Sequence, residues 1–101
     1  MNWENFQDRI VEIVSSQNGN KVRYKPYAMT YAENILAAID EGYAMGIDTK
    51  TSVRTQLLYV LSNLEGAPES ELKKVNSIAN ECDIDISGII KEILEGDNEC
   101  N

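Results

Sequence analysis

The 101-residue sequence predicts an all-α fold, a compact bundle of about five short helices around a central hydrophobic helix. Val53, Leu57, Val60, Leu61 and Leu64 recur at helical spacing and draw an apolar stripe down one side of a helix. Leu58 and Tyr59 widen that stripe past half the circumference, so this helix requires neighbours on two or more sides. Elsewhere, glycine, proline, asparagine and aspartate divide the chain into segments of helix length.

The first helix is expected over 3–17. Trp3, Phe6, Ile10, Ile13 and Val14 share one face, and Asn2 stands at the N-cap. Ser15 to Asn20 end it, because amides, serine and glycine favour caps and turns. Val22 and Tyr24 alternate with charge, too briefly for a strand. Pro26 opens a second helix, where its missing N–H is harmless. Tyr27, Tyr31, Ile35, Leu36, Ala38 and Ile39 give that helix its stripe, and Ala28, Ala32, Ala37 and Ala38 let a neighbour approach closely. Gly42 and Gly46 offer two stopping points, of which Gly46 is the expected C-terminal cap. Asp48 or Thr49 caps the central helix, which Gly66 closes. Pro68 opens a fourth helix with Glu69 and Glu71 in its first turn, favoured by the helix dipole, and Leu72, Val75, Ile78 and Ala79 on its buried side. A fifth helix, 85–95, buries Ile86, Ile89, Ile90, Ile93 and Leu94. Residues 1–95 are thus expected to form a single helical domain, followed by an acidic flexible tail over 96–101.

Composition excludes several function classes. No apolar run approaches the roughly 18 residues of a membrane span. The first residues lack the positive charge and apolar run of a signal peptide, so a cytoplasmic location is expected and no membrane partner. Cys82 and Cys100 fit no metal-ligand spacing, and histidine is absent. No cofactor is implied. Catalysis finds neither a histidine base nor a partner to activate Cys82, and no glycine-rich loop cradles a phosphate. A non-catalytic protein is therefore expected. The net charge of −8 is uneven: residues 59–101 hold ten acids against three bases, whereas the remainder is nearly balanced. Such an excess favours a basic partner and opposes nonspecific binding to nucleic acid.

Three constellations have chemical potential. Asp83, Asp85, Ser87, Gly88 and Ile90 match positions 1, 3, 5, 6 and 8 of a calcium loop, but Leu94 occupies position 12, where a bidentate glutamate is needed. Asp83 or Asp85 is better read as the cap of the last helix, with its isoleucines in the core. Lys21, Arg23, Tyr24, Lys25 and Tyr27 interleave bases with rings, a pattern suited to phosphates and stacked bases, and Lys50 and Arg54 extend it if the fold brings them near. The bland alternative is a solvated basic loop with Tyr27 and Tyr31 in the core. Finally, Glu65, Glu69, Glu71, Glu81, Asp83, Asp85, Glu92 and Glu95 form an acidic surface able to imitate a phosphate array.

The stretch from Tyr31-Ala32 through Val53-Arg54-Thr55-Gln56-Leu57-Leu58-Tyr59-Val60-Leu61-Ser62-Asn63-Leu64 resembles small helical proteins encoded by bacteriophages, most without assigned function. The resemblance covers about a third of the chain and contains no catalytic motif. It implies a protein working in the cytoplasm of an infected bacterium by binding a host or phage macromolecule and blocking a defence complex. The expectation is an acidic interaction protein, an inhibitor of a basic protein or nucleoprotein complex. Nucleic-acid binding through the Lys21–Tyr27 segment is the alternative. Oligomeric state is left open by the sequence.

Overall fold

The computed structural model describes residues 2–17 and 22–98, and these form six helices with no strand among them. They are α1 (Trp3–Ser15), α2 (Lys25–Glu33), α3 (Ile35–Ala44), α4 (Thr49–Ser62), α5 (Glu69–Glu81) and α6 (Ser87–Asn98). Lys21, Cys100 and positions 99–101 of the expected tail lie outside the described residues. The first part of that tail is not a separate segment, since 96–98 continue α6.

Local chemistry explains most helix ends. Asn2 Oδ1 accepts from the Asn5 N–H at 2.9 Å, and an Asp48 carboxylate oxygen accepts from the Thr51 N–H at 3.1 Å. Each satisfies a donor that the first helical turn would otherwise leave unpaired. Pro26 sits in the first turn of α2, and Pro68 stands at the N-cap of α5. At the end of α3, Gly46 N–H donates to Tyr43 O and Ile47 N–H to Gly42 O, with Gly46 at φ 77°. This paired closure needs a left-handed residue, which glycine adopts without steric penalty. The C-terminus of α5 closes in the same way, with Asp83 at φ 58° and the Ile84 N–H donating to Ala79 O. α4 ends at Ser62, earlier than Gly66, which lies in the turn that follows at φ 96°.

The single second helix expected over 26–46 is in fact two. The break falls at Asn34, whose side-chain amide donates to Thr30 O at 2.8 Å, while Thr30 Oγ1 donates to Pro26 O. These groups compete with the helical backbone ladder for the same carbonyls. Across the break, Gln7 Oε1 of α1 accepts from the Leu36 N–H at 2.9 Å, which anchors the new helix start from outside.

The core draws on every helix. Phe6, Ile10 and Val14 of α1 meet Ala28 and Ala32 of α2, Ile35 of α3, and Val53, Leu57, Val60 and Leu61 of α4, with Leu72, Val75 and Ala79 of α5 and Ile86 and Ile90 completing the cluster. α4 packs against α2, α3 and α6, and α5 against α1 and α6. Tyr59 departs from expectation, being 49% exposed rather than inside. Two residues past Leu57 it has turned some 200° around the helix, away from the buried stripe, and its ring stacks on Tyr31 at 5.2 Å. Tyr27 is likewise 62% exposed, so its expected core position is also corrected.

Gly42 fixes the separation of α3 and α4. A Cβ there would collide with Ser52 Oγ and lie 3.2 Å from Ser52 Cβ, and Ser52 itself is buried. Gly42→Ala should therefore destabilise the fold by about 1 kcal/mol, the overpacking against Ser52 exceeding the helix propensity that alanine adds, measured by urea unfolding. Ser52→Ala in the same chain should recover part of the loss. An unchanged midpoint for Gly42→Ala would contradict this close approach.

Candidate functional site

The interleaved bases and rings of the 21–27 segment serve the fold as much as the surface. Lys25 Nζ donates to Gln17 O at 2.7 Å and to Ser15 O at 3.1 Å, placing a cation at the negative end of α1. Arg23 pairs with Glu65 at 3.8 Å and lies 5.9 Å from the Tyr24 ring centroid. Tyr24 and Tyr27 stand 6.4 Å apart, and both are exposed. Lys50 and Arg54 do not extend this group. The Arg23 N–H binds Glu65 O, just beyond the C-terminal end of α4, whereas Lys50 lies in its first turn. At 1.5 Å rise per residue those ends are about 20 Å apart. Lys50 instead pairs with Asp83 at 3.3 Å, and Arg54 Nε donates to Asp85 O at 3.1 Å.

The acidic residues are not one uninterrupted patch. Glu69 and Glu81 occupy opposite ends of α5, and bases stand among them. Glu65 binds Arg23, Glu69 binds Lys73, Glu71 binds Lys74, Glu81 binds Arg9, Asp83 binds Lys50 and Glu95 binds Lys91. Among the described residues only Glu92 and Asp85 of the expected set lack an ion pair. Asp85 instead starts α6, accepting from the Ser87 hydroxyl at 2.7 Å and the Ser87 N–H at 3.0 Å.

That arrangement also describes the loop resembling a calcium site. Ile84 and Ile86 are buried, Asp85 is turned toward α6 and Asp83 toward Lys50. Among the described residues no three acids, cysteines or histidines converge. The Ser87 hydroxyl and N–H hold the Asp85 carboxyl below its ordinary range, as the Thr51 hydroxyl and N–H do for Asp48. The Arg9 guanidinium, donating to both oxygens of Glu81 at 2.9 and 3.1 Å, lowers that carboxyl. Cys82 is buried, and desolvation pushes its thiol up, away from the reactive thiolate.

Several depressions mark the surface, and two of them adjoin apolar side chains of interest. An open groove of about 460 Å³ runs between α1 and α5 over Ile13 and Ile78, and its rim bases, Arg9 and Lys74, are held by Glu81 and Glu71. A smaller hollow of about 170 Å³ lies where α3 meets α4, beside Met45 and Ile47. Next to it the last turn of α3 and the α3–α4 turn expose 83% of Tyr43, 71% of Met45 and 39% of Ile47. The sequence reading passed over this cluster. Its signal was partial: Met45 and Ile47 flank a terminal glycine, whereas Tyr43, four residues after Ile39, continues the helical spacing and reads as part of the stripe.

Family models, curated proteins and solved structures all yield no match to this chain. Among the described residues no helix is long and apolar enough to cross a membrane.

The two capping aspartates make acid stability a direct test of the geometry. Their folded pKa values lie below the unfolded value. Their contribution is therefore complete above the unfolded pKa of about 4 and lost as pH falls through the lower folded values. Asp48→Asn and Asp85→Asn keep a capping oxygen without the charge. Urea unfolding followed by circular dichroism should show each variant losing less stability than the parent between neutral pH and about pH 3.

Proposed function

We infer that this is a non-catalytic interaction protein that recognises a basic protein or nucleoprotein complex through surface charge. One observation supports the reading above all. Each of the eight described bases already contacts an oxygen of the chain itself, six in carboxylate pairs and two, Lys25 and Arg54, at backbone carbonyls. The acids outnumber them, 17 to nine over the whole sequence, so the unbalanced charge offered to other molecules is negative. Such a surface accelerates encounter with a basic partner and repels phosphate. In this reading α4 is the central support of the bundle and the exterior does the recognising. The finer form, drawn from the phage resemblance, is an accessory protein that occupies and inhibits a host defence complex.

A second reading rests on the rings. Tyr24 and Tyr27 are exposed beside Arg23, and the Tyr31–Tyr59 stack continues the aromatic row onto α4. Unpaired bases stack on such rings.

Two measurements separate the readings. Tagged protein incubated with bacterial lysate should retain a basic protein at low salt and release it at high salt, identified by mass spectrometry. Gel-shift with single-stranded and duplex DNA should show no complex at low salt. A shift that disappears in Tyr24→Ala/Tyr27→Ala would transfer the function to the aromatic segment.

A further inference from the structure

The acids of the second half are heavily engaged, yet another acidic region is not. Residues 26–49 contain Glu33, Asp40, Glu41 and Asp48 and no base at all. None of these four takes part in an ion pair among the described residues. Asp48 accepts from Thr51, and the nearest base that follows, Lys50, is turned to Asp83. At the C-terminal end of this region stands the exposed α3–α4 turn.

The turn is both apolar and ordered. Tyr43 and Met45 are the two most exposed large apolar side chains among the described residues. They are held by the paired hydrogen bonds from Gly46 and Ile47 onto the end of α3, at 3.1 and 2.8 Å, and Asp48 caps the next helix directly after them. A partner therefore meets anchors whose backbone is already fixed, which reduces the ordering lost on binding. Tyrosine and methionine are also residue types enriched at interfaces. Helical spacing sets Asp40 beside Tyr43 and Glu41 beside Met45. The hollow of about 170 Å³ adjoining Met45 and Ile47 has Ala38 and Glu41 in its lining. Its shape and chemistry suit the stem and charged head of a lysine or arginine.

We propose that the α3–α4 turn is the docking site for a basic amphipathic protein segment, whose apolar side covers Tyr43 and Met45 and whose lysine or arginine enters the hollow toward Glu41. Charge complementarity identifies the occupant. A symmetric pairing of this face with a second copy would gather Asp40, Glu41 and Asp48 of both copies at one interface, and nucleic acid would bring phosphates against the same acids. This inference rests on the reading of the protein as an acidic binder of basic partners, and it moves the contact from the second half to the α3–α4 turn.

The test uses the full chain, labelled with ¹⁵N, and two probes: a synthetic leucine–lysine amphipathic helical peptide and a short oligolysine of equal charge. The amphipathic peptide should shift amide signals of residues 40–48 at low salt and bind at least tenfold more tightly than oligolysine. Tyr43→Ser/Met45→Ser should lose at least tenfold in affinity for it, and Glu41→Gln should weaken binding with a shallower salt dependence. Because these side chains are exposed, the amide spectrum away from the turn should stay unchanged and certify the fold. Peptide binding that maps to residues 65–95 and survives the double substitution overturns this site and leaves the broader reading standing. Equal affinity for the two probes overturns the site as well. Absence of binding by either probe at low salt overturns both. A concentration-dependent dimer abolished by the double substitution would assign the turn to a second copy instead.

Discussion

The missing side chain at Gly42 is the constraint on which the geometry of α3 and α4 depends. With no Cβ in the way, Ser52 lies directly against α3 and Ile47 folds back over the end of that helix. This close approach seats α4 against α3, and α4 in turn places Val53, Leu57, Val60 and Leu61 in the core shared with the other helices. One small residue thus joins local backbone closure to long-range packing. A bulkier residue would push the two helices apart and disturb the turn between them.

Charge follows a different logic from packing. Individually, pairs such as Glu69–Lys73 and Lys91–Glu95 are exposed and contribute little to stability. Their collective effect is on what the surface presents. They place the bases of the chain next to its own oxygens, leaving negative charge in excess. Arg9 and Lys50 additionally tie separate parts of the fold, α1 to α5 and α4 to the α5–α6 loop. The acids they neutralise are poorer candidates for recruiting a partner than those around the α3–α4 turn.

Features set by neighbours in sequence were legible, and features set by neighbours in space were not. Asn2, Gly46, Asp48 and Pro68 stand at helix ends as their chemistry requires, and the stripes of α1, α5 and α6 face inward. The break at Asn34 was missed because the periodic apolar pattern continues through it. Only the contacts of Thr30, Asn34 and Gln7 reveal the interruption. Tyr59 was misplaced because hydrophobicity was counted without its angle around the helix. For the candidate site, residue types were readable, but their grouping was not. Lys50 and Arg54 stand well away from Tyr24, and nothing local could say that Lys25 would be drawn to the end of α1.

The corners after α3 and α5 share one backbone geometry but differ in residue, glycine at 46 and aspartate at 83. Aspartate tolerates a left-handed backbone less well than glycine, by roughly 1 kcal/mol. Its carboxylate, however, meets Lys50. Position 83 is therefore a latent adjustment point, where exchange to glycine would ease the backbone and at the same time set a lysine loose. At this corner an exchange to glycine would change rigidity and surface potential together.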